Sequence, residues 1–363
     1  MSPHRTIIGS LYRTVFKPLA FQFDAEFIHN SISSLGEHLE FAAPLVAAVF
    51  SYQNPSLKKN VLGVEFENPI GLSAGFDNDG HVAKIMKYVG FGFNTVGTVT
   101  AKSSPGNLYP RLGRLPKSQS LLVNKGFKSE GADRIAKRLD GKNLTGHTIG
   151  LSVGSTNLPI VNTIPKAIED YLYTFEVFKE KPYVKYFELN ISCPNTAMTE
   201  SFTDTRNFKK LVREVVSLKI RQPIFVKMPN EIAPADSDAL VRIALTSEVR
   251  GFIFSNLVKN RKNPVFVKEE MEKFKNYKGN FSGKPTAINA NALVAHTRKK
   301  FGRDVALIGC GGVFTIDDVI DKLACGADLV QLITGIIFEG PQLIGELTSG
   351  MVERNVEIGT PRA

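Results

Sequence analysis

The chain reads as an α/β protein, a closed (β/α)8 TIM barrel with a small N-terminal helical extension, and three observations predict it. Eight short, β-rich apolar runs follow one another between residues 70 and 333, most of them separated by enough chain for a crossover helix, which is the pattern of parallel strands. Eight units in series favour closure into a barrel over a doubly wound open sheet. Glycine and polar residues gather where the runs end, the face on which barrel enzymes carry their sites.

Residues 1–56 differ from the rest of the chain. Leu11, Val15, Phe16 and Leu19, then Phe23, Phe27, Ile28, Ile32, Leu35 and Leu39, recur at spacings of three and four, predicting short amphipathic helices broken near Pro18 and Gly36. Such helices either pack on the body of the protein or form a monotopic foot, with Phe and Leu in lipid and Arg5, Arg13 and Lys17 against anionic headgroups. No apolar run approaches the ~20 residues that span a bilayer. The first twenty residues, interrupted by Tyr12, Arg13 and Lys17, lack the pattern of a secretory signal.

Residues 57–363 are expected to form the barrel. Its candidate strands are 70–73, 93–98, 148–153, 187–191, 224–227, 251–255, 306–309 and 329–333. They run into Ala74 and Gly75, Thr98, Ser152 and Gly154, Asn190 with Ser192 and Cys193, Lys227, Ser255 with Asn256, Gly309 to Gly312, and Ile333 with Thr334 and Gly335. Two long connections, 102–128 and 258–285, and the shorter 197–205 are expected to roof the mouth, because long loops in a compact domain are commonly functional.

Within this frame the stretch YFELNISCPNT, residues 186–196, turns from buried strand to polar loop. A thiol placed there acts as nucleophile or base if its thiolate is accessible, and is inert if simply buried. The flanking asparagines offer paired donors and acceptors to a ligand. Lys227 closes a strand, and a lysine in a barrel mouth needs an anionic partner, because burying its charge alone costs several kcal/mol. It suits a ligand on which negative charge collects. Gly311 and Gly312 after the seventh strand, with Thr334 and Gly335 after the eighth, form a candidate phosphate site.

Composition narrows the function classes. The formal charge is +10, but its clusters (Lys58-Lys59, Lys259 to Lys262, Arg298 to Lys300) are short and dispersed, without a nucleic-acid-binding pattern. Cys193, Cys310 and Cys325 are too few for a disulfide framework or a zinc site, and the six histidines show no metal spacing, so a reducing cytoplasm and no metal are expected.

Six ordered motifs then carry a family resemblance: PIGLSAGFDNDG at 69–80, GFGFNTVGTVT at 90–100, PGNLYPRL at 105–112, NISCPNT at 190–196, FSGKP at 281–285, and LIGCGG followed by GADLVQLITGIIFEGP. Together they resemble the flavin-dependent dihydroorotate dehydrogenases over roughly residues 60 to 345. FKPLAFQFDAEFIHN, residues 16–30, is similar to the extension of the class 2, quinone-reducing, membrane-associated branch. The resemblance implies FMN on Ala74 and Gly75, hydrogen-bonded near Thr98, Ser152, Asn190 and Ser255, beside Lys227, with its phosphate near Gly283, Gly311, Gly312, Ile333 and Thr334. It implies a pyrimidine substrate held by Asn78, Asn124, Asn190, Asn195 and Asn256. Cys193 stands where the family keeps its base, taking the C5 proton of dihydroorotate while hydride leaves C6 for the flavin. A quinone then reoxidises the flavin, at the inner face of the cell membrane, and orotate enters pyrimidine synthesis.

The chain departs from the pattern in several places. Class 2 enzymes normally use serine as the base, so a class 1-like cysteine stands in a class 2 body. The family's lysine after the first strand is Asn78, with Lys102 a candidate substitute; an asparagine is Val123, a polar residue after Asn256 is Leu257, and a flavin-contacting asparagine is Ser152. Each change removes a polar contact of the kind that sets specificity. The alternatives are a related FMN enzyme acting on another dihydropyrimidine or enone-like substrate, and a flavin-binding protein without turnover.

Overall fold

The structure is a computed structural model that describes residues 3–192 and 201–356; Cys193 and Asn195 lie outside the described residues. Eight parallel strands close into a barrel: β1 Ile70–Asp77, β2 Phe93–Val99, β3 Ile149–Val153, β4 Val184–Asn190, β5 Ile224–Met228, β6 Gly251–Phe254, β7 Ala306–Cys310 and β8 Leu329–Leu332. β1 lies between β8 and β2, and β5 closes on β6. Every expected run falls on one of these strands, with ends displaced by a few residues.

The barrel floor shows why these sequences pair. A side chain on Gly71 of β1 or Gly150 of β3 would stand within 2.2 Å and 2.1 Å of the Phe93 and Tyr186 rings, so the missing side chains make room for two aromatics. Phe66, from the hairpin Lys59–Val61 and Val64–Phe66, plugs the bottom, its ring 4.9 Å from that of Phe93 and edge-on to it. Above this apolar layer sits a polar one. Glu188 Oε1 accepts hydrogen bonds from Thr95 Oγ1 at 2.6 Å and Gln331 Nε2 at 2.7 Å.

The two long connections are not structureless. They contribute Leu112–Leu115, Ser120–Val123 and Asn280–Gly283 to a three-stranded antiparallel sheet beside the barrel. The alternating burial of Leu112–Leu115 marks it as a sheet with one covered face.

The extension is helical, with its first break a few residues after Pro18 and none at Gly36. Pro18 does not end a helix: the chain is helical from Pro3 to Ala20, and the turn just before the proline, Tyr12–Phe16, is a π-helix, the widened turn that often marks a disturbed hydrogen-bond ladder. The break lies at Phe21 to Asp24, where Asp24 caps Ala25–His38 by accepting from the N–H groups of Glu26 and Phe27. Gly36 does not end that helix; a Cβ there would stand 3.0 Å from Val82, so the glycine serves close packing on the barrel.

Candidate active site

The carboxyl ends of the strands place their functional side chains by register. Asn190 on β4 and Lys227 on β5 are direct partners, so both project into the barrel mouth from the same level. Lys227 is 5 % exposed. It donates to Ser73 Oγ on β1 at 2.9 Å, and that hydroxyl also receives Cys310 Sγ at 3.4 Å. Among the described residues no carboxylate lies within ion-pairing distance of Lys227. A buried ammonium so placed calls for an anionic or strongly polar ligand.

An amide and hydroxyl chain runs across the mouth from Lys227. Asn190 Nδ2 donates to Thr98 Oγ1 at 3.0 Å, and Thr98 in turn shares a hydrogen bond with Ser152 Oγ at 2.9 Å. Tyr171 OH anchors the Asn190 carbonyl at 2.7 Å. Asn256 Nδ2 reaches Ser192 Oγ at 3.0 Å, and that hydroxyl donates to the Lys227 carbonyl at 2.7 Å. Ser255 is held from below by Asn230 Nδ2 at 2.6 Å. These bonds fix which way each amide points.

A cavity of about 160 Å³ opens on this chain, lined among others by Ala74, Gly75, Asn78, Thr98, Asn190, Lys227, Asn256 and Ile333. Gly75 has φ +108, and a Cβ there would meet only Ile333 Cδ1, at 3.7 Å; the glycine leaves the cavity wall flat. At its far side Ser282 Oγ and Thr334 Oγ1 lie 2.8 Å apart. Gly283, Gly311 and Gly312, with φ of +87, +92 and +72, close on Thr334, Thr286 and Ala287 respectively. A larger cleft of about 710 Å³ lies apart, lined by Lys102, Glu130, Lys166 and Asp170 among others. It mixes both signs of charge and holds none of the strand-end residues above, so the smaller cavity is the candidate site.

Two expectations need correction, and two residues join the site. Asn124 is not in the cavity wall: its Oδ1 accepts from Asn107 Nδ2 at 2.9 Å, because neighbours along extended chain point to opposite sides. Lys102 lines the larger cleft and does not stand in for the family lysine at Asn78. Sequence reasoning missed Lys125 and His29, both of which line the cavity. Alternation from Val123 is the signal that points to Lys125; His29 is one residue on an amphipathic helix, with no pattern of its own. Burial holds the His29 imidazole neutral, pushed down to about 3, with Lys125 adding to the effect.

A lysine with no counter-charge among the described residues, converging amides and a flat glycine wall at the mouth of a parallel barrel are the features of a barrel enzyme's ligand site. The family model for dihydroorotate dehydrogenase matches residues 56–354, and the chain belongs to that family of flavin-dependent oxidoreductases. It is 33 % identical to a dihydroorotate dehydrogenase (quinone) of Christiangramia forsetii over 95 % of this chain and 100 % of the relative. It is 31 % identical to the enzyme of the same name from Trichormus variabilis, over 95 % and 94 %. The fold matches a crystal structure of DHODH from Eimeria tenella in complex with ferulenol, with a TM-score of 0.79 at 23 % identity, covering 92 % of this chain and 93 % of that one.

Proposed function

We propose that this protein oxidises dihydroorotate to orotate with FMN as its resident cofactor and a quinone as electron acceptor, a step of pyrimidine biosynthesis. The observation that carries the reading is the pairing of Asn190 with Lys227 at one level of the mouth, the lysine bonded to Ser73 and, among the described residues, to no acid. FMN, when bound, supplies a two-electron acceptor for the hydride. The residues present fit it: Gly75 leaves the wall flat, Lys227 offers a cation to the pyrimidine edge of the ring, and Thr98 and Asn190 supply directed polar groups. Gly283, Gly311, Gly312, Ile333 and Thr334 are proposed to receive the phosphate. Asn190 and Asn256 hold and orient the substrate's ureide, joined by Asn195, and Cys193 takes the C5 proton.

The phosphate assignment predicts a loss on mutation. Gly311 has φ +92, and an added Cβ would stand 2.3 Å from Thr286 Oγ1, whose hydrogen bond to the Gly283 carbonyl spans 2.8 Å. Gly311→Ala should therefore weaken FMN retention by roughly ten-fold or more while the barrel still folds, the left-handed conformation alone costing ~1–2 kcal/mol. Equilibrium dialysis of FMN against the variant checks it, with circular dichroism as the fold control.

The extension, residues 1–56, is proposed as the part that meets the membrane, on the cytoplasmic side, with residues 57–363 as the catalytic barrel. No helix of the described residues is long and apolar enough to cross a bilayer. Support for peripheral contact comes from exposed Leu11, Phe16, Leu35, Phe41 and Leu45 on successive helices of the extension, Phe41 at 85 %. Phe41→Asp with Leu45→Asp should reduce sedimentation with anionic lipid vesicles about ten-fold or more, since two apolar side chains leave the interface. Dye reduction should be unaffected by the same pair.

A second reading, another dihydropyrimidine as substrate, is favoured by Asn78, Val123 and Leu257, which line the cavity without the charge or hydrogen bonds the family places there. Product analysis separates the two: incubation with a quinone and either dihydroorotate or dihydrouracil should give orotate from the first and no uracil from the second.

A further inference from the structure

The cavity has an apolar side that runs beneath the extension. Leu112, Leu121, Ile333 and Ile337 line it, Phe21 packs against this wall, and Tyr12 of the extension donates to the Ile337 carbonyl at 2.7 Å. His29, from the capped helix, closes it with its ring edge-on to Phe76 at 5.0 Å. An imidazole held neutral down to about 3 supplies no proton near neutrality. The one ammonium on this side that lacks an ion-pair partner among the described residues is Lys125, which donates a single hydrogen bond, to the Gly75 carbonyl at 3.3 Å. A lysine has three protons to give. Glu26, the acid whose charge acts on it most, is already committed to Arg111 at 2.8 Å and Lys128 at 3.2 Å.

We infer that Lys125 serves the electron acceptor: its ammonium hydrogen-bonds a carbonyl oxygen of the quinone and gives that oxygen a proton as the quinone is reduced. The inference rests on the quinone-reducing activity proposed above. The balance is simple. Dihydroorotate loses two electrons and two protons, and the quinone gains two of each: both electrons and one proton from the reduced cofactor, the other proton from the protein. For one of these protons an Nζ–H bond of Lys125 breaks as an O–H bond forms, and the neutral amine regains its proton from solvent. The site fits this division, because a flat, uncharged acceptor suits the apolar wall and asks for one polar contact at its inner end. The donor substrate's ureide instead matches the amides on the far side, Asn190 and Asn256.

The surroundings give the step a pH signature. Burial lowers the Lys125 ammonium to about 8; Glu26 from the extension helix and Asp79 after β1 oppose the fall, while Lys128 and Arg111 add to it, and His29 faces the same ammonium. Acceptor reduction should then slow as pH rises through about 8, because the proton is gone above it.

The experiment uses the full-length, FMN-loaded protein reduced with dithionite, so that it is independent of the donor substrate, and mixes it with a short-chain benzoquinone on both sides of that pH. Lys125→Met should slow re-oxidation by about 10²-fold, the scale of a lost proton donor, and erase the pH break. It should also weaken quinone binding, read from perturbation of the flavin spectrum, by roughly ten-fold. Lys125→Arg should restore binding but not the rate, since a guanidinium holds its proton. A wild-type rate without a break near that pH, or a variant with wild-type re-oxidation, overturns the inference. So does a variant that binds quinone normally but has lost affinity for orotate, which would put Lys125 on the donor side. Failure of the wild type to be reduced by dihydroorotate would instead sink the function proposed above and leave this result standing.

Discussion

Replacement of Cys193 by alanine should leave FMN bound and slow its reduction by dihydroorotate by on the order of 10²–10⁴-fold, the range a positioned general base contributes. The chain leads to this thiol through well-fixed residues. Asn190 is tied to Thr98 and to Tyr171, and Ser192 is tied to the Lys227 carbonyl and to Asn256; Cys193 comes next in sequence. A thiol ionises near pH ~8.5 where a serine hydroxyl does not. Flavin reduction in the natural protein should therefore rise with pH up to the thiol's ionisation and then level. Cys193→Ser should move that rise to higher pH while keeping part of the rate. Stopped-flow reduction across the pH range checks both, and an alanine variant reduced at the natural rate would remove the thiol from the chemistry.

Lys227→Met should have the other large effect. The ammonium is buried, bonded to Ser73 Oγ at 2.9 Å, and pairs with no acid among the described residues, so its charge is directed at whatever occupies the mouth. Preorganised charge of this kind is worth about 10²–10³ in rate when one donor is removed. The variant should bind FMN but reduce it about 10²–10³-fold more slowly with dihydroorotate, and its flavin should have a lower reduction potential. Redox titration separates this from a packing defect, which would change FMN content and leave the potential alone. The isosteric methionine avoids the cost of an unpaired buried charge, so the barrel should stay folded.

The barrel was legible because its signal is repeated. Eight apolar runs with polar ends leave few topologies, and parallel strands buried on both faces read as near-continuous hydrophobic runs. Strand ends were less legible, since β1 continues to Asp77 and β4 stops at Asn190, limits set by pairing with neighbours rather than by composition. In the extension the break fell near Pro18, at a boundary fixed by Asp24 capping, whereas Gly36 looked like a break and instead packs against Val82. The site divides the same way. Lys227, Asn190, Thr98 and Gly75 could be placed because strand periodicity fixes which side chains enter the mouth. Asn124 and Lys125 could not, because they come after Ser120–Val123 in a sheet outside the barrel repeat. There the side that faces the cavity depends on how that sheet docks.

An anaerobic single turnover tests the proposed chemistry most directly. FMN-loaded protein mixed with stoichiometric dihydroorotate should lose its visible flavin absorbance and yield one equivalent of orotate, and a quinone added next should restore the colour. Protein that stays yellow with dihydroorotate yet bleaches with dithionite would contradict the proposal that the Lys227 and Asn190 mouth is built to oxidise this substrate.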